Sequence, residues 1–100
     1  MEWNVYIILC SDNTLYTGIS TDVQRRFQEH ATPQGRAGAK YFRGRRPLRI
    51  IYTEGGLDRS TASRREAAIK LLSRAEKLQL AASWSGSHSM HDIPMPEVNR

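Results

Sequence analysis

Two tyrosines stand ten residues apart near the start of the chain, Tyr6 within NVYIILC and Tyr16 at the head of YTGIS. A phenol both donates and accepts a hydrogen bond, so two of them side by side can work on one small group. On opposite faces of a sheet they can only pack. Register decides between these outcomes. A two-residue loop at Asp12-Asn13 would pair Tyr6 with Ile19 and turn Tyr16 to the other face. A three-residue loop, Ser11-Asp12-Asn13, would set Tyr6 opposite Gly18 and Ile8 opposite Tyr16, with both phenols on one face as diagonal neighbours. That loop needs one residue in the left-handed region, which Asn13 tolerates. Gly18 would then leave a gap beside Tyr6 through which a substrate could approach the backbone.

Charge points to a polyanion. Residues 25–49 hold eight basic side chains (Arg25, Arg26, Arg36, Lys40, Arg43, Arg45, Arg46, Arg49) and one acid, Glu29, within a chain of net charge +5. Twelve of the fifteen basic residues are Arg, whose planar fork suits phosphate. A solvated basic loop is the plainer alternative.

The elements that must position these groups follow from the pattern. Residues 3–10 are nearly all apolar and read as a strand covered on both faces. Residues 14–19 form the second strand. Ser20, Thr21 and Asp22 are N-cap candidates, with Thr21 and Gln24 at capping-box spacing, for a helix to about His30. Val23 and Phe27 face the core, and Arg26 and His30 form a second row beside them. Residues 32–47 are a long loop with a helical turn around residues 37–42. A third strand at 48–53 ends at Glu54-Gly55-Gly56. Asp58 or Ser60 caps a helix to about Leu72, with Ala62, Ala68, Ile69 and Leu72 buried and Glu66 at the edge. In that helix Glu66 can simply pair with Lys70. Ser73 caps a last helix to Ala81, and Leu78 is expected in the core. The order β-β-α-β-α-α predicts an α+β fold, a three-stranded antiparallel-type sheet flanked by helices. Residues 1–82 form the expected domain and 83–100 a flexible tail.

Taken in order, Val5-Tyr6, Tyr16-Thr17-Gly18, Arg26, His30 and Glu66 resemble the GIY-YIG nuclease family. The run YTGISTDVQRRFQEH is similar to its small stand-alone bacterial, YhbQ-like members. Asn4-Val5-Tyr6 stands where the family has Gly-Ile-Tyr. The resemblance implies the GIY-YIG endonuclease fold and hydrolysis of DNA phosphodiesters, structure-selective or nonspecific, with one divalent metal, Mg²⁺ or Mn²⁺, and work of the DNA-repair kind. It implies catalytic roles for Tyr6, Tyr16, Gly18, Arg26 and His30. Tyr16 would orient or deprotonate water with its pKa lowered by Arg26 and the metal. Tyr6 would bond to the water or the phosphate, His30 would transfer a proton or hold phosphate, and Glu66 would hold the metal. Arg36, Lys40, Arg43, Arg45, Arg46, Arg65 and Lys70 would track the nucleic acid, which is expected to be DNA. Many family nucleases carry an Asn about a dozen residues after the Glu; Lys77 or Gln79 stands near that spacing here. Two alternatives stay open, a catalytically weak DNA- or RNA-binding module and a nuclease subunit activated by a protein partner.

Other classes are set aside. No run of eighteen apolar residues is present, so no membrane segment is expected. The N-terminus lacks the marks of a signal peptide. The single cysteine, Cys10, cannot form an internal disulfide and fits a cytoplasmic protein. His88 and His91 have no third ligand nearby and are not read as a metal pair.

Overall fold

The computed structural model describes residues 2–32 and 40–86. Strands β1 (Trp3–Cys10) and β2 (Leu15–Ser20) pair antiparallel, with Tyr6 opposite Gly18 and Ile8 opposite Tyr16. The loop between them has three residues. The Cys10 N–H donates to the Thr14 carbonyl at 2.9 Å, and the Asn13 N–H donates to the Cys10 carbonyl at 2.8 Å. Asn13 takes the left-handed conformation, φ 69°. The Asp12 carboxylate accepts from the Thr14 N–H at 3.2 Å and the Thr14 hydroxyl at 2.6 Å, an Asx-type closure that fixes the turn.

Strand β3 (Pro47–Leu57) pairs antiparallel with the other edge of β1, giving the order β2-β1-β3. It outlasts the expected end at Glu54-Gly55-Gly56. A register shift between Trp3 and Val5 absorbs the extra residue, with Gly56 at φ +75°, and pairing resumes at Leu57, as a bulge allows.

Helix α1 (Val23–Ala31) starts at Asp22, whose carboxylate accepts from the Arg25 N–H. The expected Thr21–Gln24 box does not form. The Ser20 hydroxyl instead accepts from the Asp22 N–H and steers Asp22 into the cap position. A single 3₁₀ turn covers Lys40–Phe42; the earlier part of the turn expected around residues 37–42 lies outside the described residues. Asp58 caps α2 (Arg59–Lys70) by accepting from the Thr61 N–H. Ser73 and Glu76 form a reciprocal capping box on α3 (Arg74–Gly86). Helix α3 runs to Gly86, past its expected end at Ala81; residues 87–100 lie outside the described residues.

The central strand is buried on both faces. Val5 and Ile7 pack with Ala62 and Ile69 of α2, joined by Leu72 and Leu80. Tyr6, Ile8 and Cys10 pack on the opposite face with Tyr16, with Val23 and Phe27 of α1, and with Tyr41 and Phe42. Two expected core residues are not core. Ala68 is exposed, and Leu78 is 40% exposed. Helix α2 ends two residues early and only a narrow stripe of it faces the sheet, while Leu80 fills the place expected for Leu78. Among the described residues no helix is long and apolar enough to cross a membrane.

Candidate active site

The odd-length turn brings Tyr6 and Tyr16 to one face, with ring centroids 6.2 Å apart. From α1, His30 completes a triangle, its ring 5.3 Å from Tyr16. The Tyr6 hydroxyl and His30 Nε2 are 3.1 Å apart, and both residues are buried, 1% and 5% exposed. Tyr16 is the half-buried member. The gap expected at Gly18 is absent. A Cβ built there would lie 2.6 Å from the Tyr6 hydroxyl oxygen, 2.7 Å from its ring carbon and 3.1 Å from the Tyr16 ring. Gly18 is therefore bare because Tyr6 itself fills the space.

Sequence reasoning passed over the wall behind these groups. Phe42 stacks on His30 at 4.2 Å and meets Tyr16 edge-on at 4.9 Å. Tyr41 contacts Tyr16 at 5.1 Å. The wall is held by Arg45. Its Nε donates to Asp12 at 2.6 Å, its Nη1 donates to the Tyr41 carbonyl at 2.9 Å, and its guanidinium lies 4.0 Å over the Tyr41 ring. Ser11 and Arg46 add a backbone bond at 2.8 Å. The hairpin turn thus holds the segment that closes on His30 and Tyr16. The aromatic pair in KYFRGRR was the available signal.

Charges from both layers act on the same two phenols. Burial raises the Tyr6 phenol well above the ordinary range, helped by Tyr16 and Glu66 and opposed by the charge and hydrogen bonding of Arg26. Burial also raises Tyr16, against Arg26 and Lys70 and with Glu66. Both phenols are therefore protonated at neutral pH, and the lowered Tyr16 pKa expected from Arg26 does not arise in this state, because desolvation outweighs the cation. Burial lowers His30 to about 4, with Arg26 adding to the effect and Glu29 opposing it, so the imidazole is neutral. The Tyr6 hydroxyl and the neutral His30 imidazole share one hydrogen bond, whose donor depends on the ring tautomer.

Arg26 also donates to Glu29 at 2.8 Å. Glu66, with a side chain 24% exposed, accepts from Lys70 Nζ at 3.3 Å. Among the described residues no three carboxylate, imidazole or thiol groups cluster as a metal cage. What the site offers a cation is one carboxylate whose charge is felt by both phenols. That donor set suits a hard divalent ion whose remaining coordination comes from water and phosphate.

Residues 2–79 match the GIY-YIG catalytic domain. The chain belongs to that family. Among its GIY-YIG relatives, the UPF0213 protein DP2720 of Desulfotalea psychrophila is 51% identical, over 89% of this chain and 80% of that one. The UPF0213 protein YhbQ of Escherichia coli is 39% identical, over 96% and 94%. The solution structure of the UPF0213 protein BH0048 from Bacillus halodurans superposes with a TM-score of 0.54 at 42% identity, covering 87% of this chain and 89% of that one. That of EF2693 from E. faecalis gives 0.58 at 32% identity, over 91% and 94%.

Against this GIY-YIG framework the cationic residues divide. Lys40, Arg43 and Arg46 are exposed along the segment that carries Tyr41 and Phe42. Arg45 is committed to Asp12, and Arg65 is committed to Glu54, its Nε donating at 3.1 and 3.2 Å and its Nη2 at 3.1 Å. These two, expected on phosphate, serve the fold. Arg65 meets its carboxylate in fork geometry, whereas Arg45 gives Asp12 one contact and spends a second donor on the Tyr41 carbonyl. Arg36 lies outside the described residues. Lys77 is half-buried and Gln79 exposed, and neither side chain makes a hydrogen bond or ion pair among the described residues.

Proposed function

We propose that this protein is a divalent-cation-dependent endonuclease that hydrolyses DNA phosphodiesters, selecting by DNA structure or not at all, in processing of the repair kind. The observation that supports the reading is the Tyr6, Tyr16 and His30 cluster that the hairpin turn and α1 build on one face, with the charges of Arg26 and Glu66 acting on both phenols.

The roles follow from exposure. Arg26 pairs with the non-bridging phosphate oxygens, where charge grows as the bond breaks. Tyr16, the less buried of the two phenols, orients the attacking water. Tyr6 and His30 are buried and bonded to each other, so they act through Tyr16 as positioning residues. Glu66 would hold Mg²⁺ or Mn²⁺, which when bound polarises the phosphate and stabilises the leaving oxygen. Lys40, Arg43 and Arg46 contact the DNA backbone, which positions the substrate without reading sequence.

One observation favours a second reading, a nucleic-acid-binding module with weak hydrolysis. Burial raises both phenols, so neither is a ready base at neutral pH.

The deciding experiment is cleavage of plasmid and branched DNA with Mg²⁺ or Mn²⁺ by the wild type, Arg26→Ala and Glu66→Ala, beside binding measured in chelator. Cleavage that rises from neutral to alkaline pH and is lost in both variants supports the endonuclease. Salt-sensitive binding with no turnover in any protein establishes the second reading instead.

A further inference from the structure

We propose that Lys70 is a displaceable counter-charge on Glu66 that couples loading of the divalent cation to binding of the nucleic acid. The inference rests on the endonuclease reading and adds a regulation to its site.

The two partners differ in freedom. Glu66 lies on the side of α2 that also carries buried Ala62 and Ile69, and its side chain is 24% exposed against 54% for Lys70. Lys70 reaches it with one ammonium contact at 3.3 Å from a flexible four-carbon stem. The neighbouring Arg65 shows the contrast, since its fork locks onto Glu54 through three contacts at 3.1–3.2 Å. Of these two cations on α2, Lys70 is the exchangeable one and Arg65 the fixed one. Helix α2 packs against both β1 and β2, and the charges of Lys70 and Glu66 act on Tyr16 of β2 with opposite sign.

Glu66 cannot hold an ammonium and a divalent cation on the same oxygen without strong repulsion between the two positive charges. In the free protein Lys70 therefore weakens cation binding. A phosphate arriving at the site offers the ammonium a second partner and removes that competition. Cation and nucleic acid then each raise the affinity for the other, as linkage requires. The free protein keeps Glu66 neutralised and becomes loaded together with its substrate.

The test measures Mn²⁺ binding by the paramagnetic resonance signal of the free ion, with and without a short DNA duplex. The Tyr16→Phe background keeps the duplex uncut. Lys70, Lys70→Gln, Lys70→Arg and Glu66→Gln forms are compared, and thermal melts show that each is folded. Without DNA, Lys70→Gln is expected to bind Mn²⁺ about three-fold more tightly. DNA is expected to tighten Mn²⁺ binding about five-fold when Lys70 is present, to do so in part for Lys70→Arg, and to have little effect for Lys70→Gln. Equal Mn²⁺ affinity and equal DNA response in the Lys70 and Lys70→Gln forms, with binding abolished by Glu66→Gln, overturns the coupling and leaves Glu66 as the cation ligand. Mn²⁺ binding that is absent, or indifferent to Glu66→Gln, overturns both.

Discussion

The Tyr6 hydroxyl sits 3.1 Å from His30 Nε2, sealed from solvent between the central strand and α1. A phenol used in this way is an anchor for the imidazole. Tyr6→Phe removes it and leaves a buried ring nitrogen without that partner, so unfolding in urea should show a loss of about 1–3 kcal/mol. A variant as stable as the wild type would mean that the bond contributes nothing.

The same burial makes the fold sensitive to mild acid. His30 is held at about 4 against an ordinary 6.5, so between these values the unfolded chain takes up the proton and the native one does not. Stability should therefore fall as pH drops from 6.5 toward 4, by up to about 3 kcal/mol, and His30 should add no pH dependence above that window. The lowered carboxyls of Asp12, Glu29 and Asp58 release their contribution from about pH 5 downward, so the slope above that is the imidazole's. Urea unfolding at several pH values, repeated on His30→Gln, checks the slope; a variant with an undiminished slope would contradict it.

Gly18→Ala should displace Tyr6, because the added methyl would meet the phenol oxygen at 2.6 Å. The expected cost is about 1–3 kcal/mol, and it is steric, since Gly18 is not among the residues with positive φ. Combined with Tyr6→Phe the cost should shrink, giving a non-additive double-mutant cycle. Strict additivity would show that the methyl is accommodated elsewhere.

Thr17, between the two signature residues, points to the other face and is 3% exposed, with a hydroxyl that has no hydrogen-bond partner among the described residues. Thr17→Val keeps the shape and removes the stranded group. A gain of about 1 kcal/mol in urea unfolding is expected; a loss would reveal that the hydroxyl is satisfied in solution.

Asp12→Ala should loosen the aromatic wall by freeing Arg45 from its 2.6 Å contact. Amide hydrogen exchange is expected to quicken across residues 40–46 while β1 and β3 stay protected. Unchanged exchange in that segment would show that Tyr41 and Phe42 hold themselves.

The sequence pattern carried the local decisions well. Alternation and apolar runs placed all three strands, Asn13 admitted the odd-length turn, and Asp58 and Ser73 marked two helix starts. What escaped it was long-range and specific. The Arg45–Asp12 pair joins residues 33 positions apart, and nothing in the neighbourhood of either foretells it. The partner of the Tyr6 hydroxyl lies 24 positions away, so its burial could not be separated from exposure on a substrate-facing surface. Helix α2 misled because its alanines look alike in sequence while only Ala62 turns inward.

The three-residue turn carries a consequence for how this chain tolerates insertions and deletions. Losing or gaining one codon between Ser11 and Asn13 would leave two strands able to pair, yet it would rotate Tyr16 to the α2 side and separate it from Tyr6 and His30. Adding two residues restores the parity. A length scan of this turn should therefore alternate between competent and silent proteins, a rhythm that point substitution at Ser11, Asp12 or Asn13 would never reveal.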